Sequence, residues 1–152
     1  MTEAELLESK ILLIDDTDAN LALLERLLEK EGFTQVLSTT DSTKALKLVS
    51  AYQPDIILLD LMMPNLDGFG VLEQLKKRSC PTDYLPVIVI TADNNIDAKR
   101  KALALGAKDF LTKPFDPIET MLRVWNLLET RLLYKKLIAA NTEIQPINKH
   151  SS

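Results

Sequence analysis

The chain has 152 residues, 46% hydrophobic and 26% charged, a composition that suits one soluble domain with a full apolar core and excludes a disordered chain. A formal net charge of -4, with Lys and Arg dispersed apart from short groups such as Lys76-Lys77-Arg78, argues against direct binding of nucleic acid. One cysteine, Cys80, and one histidine exclude a disulfide framework and a Cys/His zinc centre, and with no run of ~18 apolar residues and an acidic start unlike a secretory signal, a cytoplasmic location without a membrane partner is expected.

In chain order, the first element is "ILLI", Ile11 to Ile14, a short apolar run of the kind buried on both faces of a parallel sheet. It runs straight into Asp15 and Asp16. "ANLALLERLLEKEGF" then repeats leucine at helical spacing and stops at Gly32, with Asp18 and Asn20 read as caps of that helix. "TQVLST" is a short strand. "DSTKALKLVSAY" is a helix capped by Asp41 or Ser42, and "PDIILLD" a second buried strand ending in Asp60. A helix over "DGFGVLEQLKKRS", a strand "LPVIVIT" ending in Thr91, a helix "NNIDAKRKALALG" closed by Gly106, and a strand "AKDFLT" before "KPF" follow. From Pro117 a long helical pattern runs past Leu137 to Pro146. Five strands alternating with five helices predict an α/β fold with a doubly wound parallel sheet, helices on both faces and an extended C-terminal helix.

Ligands of such sheets bind outside the carboxyl ends of the strands, where the strand order reverses. Asp15, Asp16, Asp60, Thr91 and Lys113 all fall at those ends. Three carboxylates against one ammonium call for a cation. Oxygen donors without His or Cys suit a hard ion, Mg2+, which binds through one or two carboxylates and a phosphate. "DTDAN" begins like an EF-hand loop, but Leu21 stands where the sharp turn requires Gly. The same stretch is similar to the nucleophile motif of haloacid-dehalogenase-type phosphatases, a rival that leaves Asp60 and "DLMMPNLDG" unexplained.

The pair "DD", the segment "DLMMPNLDG", the "TA" ending the fourth strand and "KPF" after the fifth resemble, in that order, the receiver domain of two-component response regulators over about Lys10 to Leu128. The resemblance implies a flavodoxin-like strand order 2-1-3-4-5 and a phosphorylation-operated switch rather than an enzyme. Asp60 would be the phosphoacceptor and nucleophile, served by a sensor histidine kinase, a phosphotransfer protein or a small phosphodonor. Asp16 would be the closest carboxylate ligand of Mg2+, with Asp15 acting through water, Asp60 itself and the backbone carbonyl of Met62 completing the set. Lys113 and the Thr91 hydroxyl would hold phosphoryl oxygens, and a cis bond is expected between Lys113 and Pro114. Thr91 and Phe110 would be the switch pair, and Met62 and Asp93 would tune the lifetime of the phosphoryl group. A constitutive receiver-fold interaction module and an aspartyl-phosphate phosphatase are the alternatives.

A homodimer through the fourth helix, fifth strand and fifth helix is implied too, with Lys99, Asp109, Glu119 and Arg123 at the corresponding positions. Ile118, Met121, Leu122, Trp125, Leu128 and Leu132 are expected to dock the last helix on the sheet. Leu133, Leu137, Ala140 and Ile144 continue as a heptad-like seam, with Lys135, Lys136 and Glu143 on the wet face. The expected organisation is a receiver domain over 1-128 and a helical extension or linker over 129-152. That extension resembles linkers preceding cyclic-di-GMP output domains, none of which lies within these residues.

Overall fold

In the first strand, β1 (Lys10–Ile14), the four aliphatic side chains are fully buried and alternate between two apolar clusters. Ile11 and Leu13 join one cluster, Leu12 and Ile14 the other, as the two-residue period of a strand demands. The same alternation holds in β3 (Ile56–Asp60) and β4 (Val87–Thr91), so helices must cover both faces. The computed structural model describes residues 2–63, 66–78, 84–92 and 96–151, with side chains described as far as residue 141. Cys80, Asp93 and the side chains of Glu143 and Ile144 lie outside the described residues.

With β2 (Gln35–Thr39) and β5 (Asp109–Thr112), the strands form one parallel sheet in the order β2-β1-β3-β4-β5. Helices α2 (Asp18–Glu31) and α6 (Pro117–Ser151) bury Leu21, Leu24, Leu28, Met121, Val124 and Leu128 on one face. Helices α3 (Ala45–Tyr52), α4 (Gly68–Arg78) and α5 (Ile96–Ala104) cover the other with Ala45, Val49, Val71, Leu72, Leu75 and Ala102. Gly32 ends α2 at φ +115, the left-handed conformation in which its N–H reaches back to the Leu28 and Glu29 carbonyls.

Three features depart from the expected elements. A short helix, α1 (Glu3–Leu7), precedes β1; its five residues are too few to show a period, but Thr2 caps it and Leu6 is buried in the α2/α6 cluster. The second expected helix begins as a 3-10 turn (Ser42–Lys44), whose cap, Asp41, accepts the Thr43 N–H at 3.0 Å. Among the described residues there are therefore six α-helices and one 3-10 turn rather than five helices. Helix α6 also continues past Pro146 to Ser151; a proline removes one N–H donor and crowds one carbonyl, which perturbs a helix without always ending it.

The packing of α6 differs in which residues face the sheet. Met121, Val124 and Leu128 enter the core, with Trp125 and Leu132 half-buried, whereas Ile118 and Leu122 are 73% and 58% exposed. The seven-residue step from Met121 to Leu128, with Val124 between, traces one stripe, and Ile118 and Leu122 lie beside it rather than on it. No helix among the described residues is long and apolar enough to cross a membrane.

Candidate functional site

The chain reverses its direction of travel across the sheet between β1 and β3, and the acids gather at the carboxyl ends of those two strands. Asp15 follows β1 directly, and its N–H donates to the Thr39 carbonyl at 3.2 Å, which extends the ladder by one residue and fixes where its side chain begins. Asp60 closes β3. Both are 1% exposed, whereas Asp16 lies out in solvent. Carboxylate oxygens from all three lie within 4.8 Å of one another. Gly68, at the start of α4, is required here: a Cβ would stand 2.6 Å from the Asp60 carbonyl oxygen and 2.6 Å from Leu61 Cα.

Among the described residues one cation faces this cluster. Lys113, just beyond β5, donates from Nζ to Asp60 Oδ2 at 3.2 Å and stands 3.8 Å from Asp15 Oδ2. The other Asp60 oxygen accepts the Met62 N–H at 3.1 Å, while the Met62 side chain is exposed. Burial pushes the Asp60 carboxyl up to about 6, with the Asp15 charge adding to the rise and the Met62 N–H and Lys113 opposing it. Three carboxylates with one ammonium leave negative charge to be balanced, and an all-oxygen donor set of this spacing fits a hard divalent cation such as Mg2+.

Thr91 closes β4, buried beside the Asp60 strand, and its carbonyl accepts the Lys113 N–H at 2.8 Å. The Lys113–Pro114 peptide bond is cis, as expected. Phe110 on β5 is half-buried against the α3/α4/α5 cluster, with Lys99 Nζ 4.3 Å and Arg123 Cζ 5.8 Å from the ring centre. Of the charges expected between copies, three pair within the chain: Arg123 donates to Asp109 at 2.7 Å and to Glu119 at 3.1 Å.

The structure thus brings together Asp15, Asp16, Asp60, Met62 and Lys113, with Thr91 at the adjacent strand end. It also adds a residue whose position in the sequence suggests a cap. The α2 N-cap is Thr17, not Asp18 or Asn20, and no side-chain bond caps that helix. Asn20 instead turns its amide to the Asp15 carboxylate, with Nδ2 at 3.3 Å from Oδ2 and 3.5 Å from Oδ1, while the Thr17 N–H donates to Asp15 Oδ1 at 2.9 Å. A polar residue in the first turn after a strand-end acid is the one signal that points there.

Residues 11–124 match the family model described as the response regulator receiver domain. The response regulator PleD of Caulobacter vibrioides is 40% identical over 131 residues, covering 86% of this chain; the chain spans 28% of that protein's length. The solved receiver domain of NtrX from Brucella abortus is 32% identical, with a TM-score of 0.72 over 80% of this chain and 99% of that one. A two-component system response regulator/GGDEF domain protein superposes with a TM-score of 0.77 at 26% identity, over 84% of this chain and 52% of that one.

Proposed function

Because the chain belongs to the response regulator receiver domain family, we propose that it works as a phosphorylation-operated switch in which Asp60 takes a phosphoryl group from a sensor histidine kinase or a phosphotransfer protein. The observation that carries this reading is the convergence of Asp15, Asp16 and Asp60 with Lys113 Nζ at 3.2 Å from the Asp60 carboxylate.

A carboxylate oxygen of Asp60 attacks phosphorus, the bond from phosphorus to the donor's imidazole nitrogen breaks, and the electron pair leaves with that nitrogen. An acyl phosphate remains on Asp60. A pKa of about 6 leaves this carboxyl ionised at neutral pH yet more basic than an exposed aspartate, which favours it as a nucleophile. Lys113 is already within reach of the oxygen that would carry the phosphoryl group, and the Thr91 hydroxyl, at the adjacent strand end, would donate to another phosphoryl oxygen. Asp15, Asp16, Asp60 and the Met62 carbonyl are the groups that would hold Mg2+, which when bound supplies neutralising charge at the phosphoryl oxygens. Positioning and charge neutralisation are most of what this chemistry needs.

The organisation that fits is a switch over 1-128 and a helical extension over 129-152 that hands the state of Asp60 to an output domain or partner. A cyclic-di-GMP enzyme is one such output, a choice supported by the likeness to a response regulator/GGDEF protein. Phe110 and Thr91 would relay the change, with dimerisation through α5, β5 and α6 as one readout.

Incubation with acetyl phosphate and Mg2+, followed by intact mass measurement, is expected to show one added phosphoryl group on the wild-type chain and none on Asp60→Asn. Equal labelling of the variant would move the acceptor elsewhere, and no labelling of the wild type would favour a constitutive interaction module.

A further inference from the structure

Asn20 stands in the first turn of α2 with its side chain against the buried Asp15 carboxylate. An ionised carboxylate only accepts hydrogen bonds, so the attractive orientation of the amide is the one with Nδ2 inward, at 3.3 and 3.5 Å from the two oxygens. Helix capping does not account for the residue, because its own N–H already donates to the Thr17 carbonyl at 3.1 Å and the cap position is one turn earlier.

The contacts divide the three acids unequally. Asp15 Oδ1 receives the Thr17 N–H and the Asn20 amide, and Oδ2 receives the Asn20 amide with Lys113 Nζ nearby at 3.8 Å. Asp16, by contrast, is exposed and among the described residues accepts one hydroxyl, that of Thr17, at 3.4 Å. A carboxylate offers about four lone-pair directions, so Asp15 has most of its capacity committed inside the chain before any ion arrives. Asp16 has most of its capacity free.

This imbalance bears on which ion the cluster accepts. Mg2+ keeps several waters and is content with one or two direct carboxylates, whereas Ca2+ seeks six to eight oxygens and readily takes carboxylates in bidentate fashion. Resting on the reading of this cluster as a Mg2+ site, we propose that Asn20 is a specificity-determining residue: its amide occupies both Asp15 oxygens, keeps Asp15 from binding the ion directly, and so biases the site toward Mg2+ over Ca2+.

The experiment is calorimetric titration of Mg2+ and of Ca2+, separately, into the wild-type chain, Asn20→Ala and Asn20→Leu, with thermal melts in the absence of either ion as a check on folding. Both variants remove the donor. The ratio of Ca2+ to Mg2+ affinity is expected to rise about tenfold in each, through Ca2+ gaining Asp15 as a direct ligand. Asn20→Leu, close in volume and adding no oxygen ligand, carries the comparison if Asn20→Ala melts too low. An unchanged ratio, or equal losses for both ions, would overturn the proposal and leave Asn20 a structural residue. Wild type that binds neither ion would overturn the Mg2+ reading of the cluster itself, and the role of Asn20 with it.

Discussion

Asp60 carries its charge in a place where burial and the neighbouring Asp15 both oppose it, and its carboxyl is pushed up to about 6. In the unfolded chain an aspartate titrates near 4. Between pH about 4 and 6 the native state therefore keeps a proton that the unfolded state has released, so the contribution of Asp60 to stability is fullest below pH 4 and is lost as pH rises through that window. Asp60→Asn removes the charge at constant volume, and in ion-free buffer at pH 7.5 it is expected to stabilise the chain by up to about 3 kcal/mol. Urea melts at pH 7.5 and below pH 4 test this: the gain should vanish at the lower pH, and its absence at both would mean that burial does not raise the Asp60 carboxyl. Asp15, Asp16 and Asp60 are legible in the sequence because a charge seldom ends an apolar strand without a partner to balance it, whereas Lys113 is marked only by the Pro114 and Phe115 that follow it. Asn20 is not, since a polar residue in a first helical turn reads equally well as a cap. Phe110, half-buried against the α3/α4/α5 cluster, has the Lys99 ammonium 4.3 Å and the Arg123 guanidinium carbon 5.8 Å from its ring centre, contacts that favour the ring where it stands.

Among the elements, α6 is the one whose role differs most between sequence and structure. Its spacing announces a long amphipathic helix, but period alone cannot tell which of two adjacent apolar stripes enters the core, and it is Val124 that does so rather than Ile118 or Leu122. Nor can it show that the helix stays on the body well past Leu128. Asp55, buried at the amino end of β3, accepts the Lys10 N–H at 2.9 Å, Arg131 Nε at 3.4 Å and Lys135 Nζ at 3.2 Å. Tyr134 packs on Tyr84 with ring centres 5.6 Å apart, and Lys136 pairs with Glu5 of α1 at 2.8 Å. A buried carboxylate left without its cation is costly, on the order of 3 kcal/mol, although the half-exposed Lys135 would offset part of the loss. Arg131→Ala is accordingly expected to lower stability by about 1–3 kcal/mol and to raise hydrogen exchange across residues 129–141, while labelling by acetyl phosphate is unchanged. Unaltered exchange there would show that the apolar contacts alone seat the helix.

For the whole molecule, alternating strand and helix signals lead to a parallel doubly wound sheet, and the structure has it in the order 2-1-3-4-5. Each apolar run is short, continuous and closed by a turn residue, so register has little freedom. Association between copies is a separate matter. Leu133 and Leu137 are 56% and 58% exposed, on the part of α6 beyond the core, and a seam of so few turns is weak by itself. Sedimentation with and without beryllofluoride is expected to show a dimer strengthened by the phosphoryl mimic and lost on truncation after Glu129; a monomer in every sample would remove the idea. The 35-residue α6 has a mechanical consequence as well. At 1.5 Å per residue it is a rod of about 50 Å, and the Asp55 cluster grips it at Arg131 and Lys135, close to its midpoint. Met121, Val124 and Leu128 seat the first half of the rod in the core as well, so a tilt has to repack them. A rigid tilt of about 5° about the Asp55 grip would shift the Pro117 end by roughly 2 Å and the far end a similar distance in the opposite sense, which is the reach that a displacement beside Lys113 gains from the length of this helix.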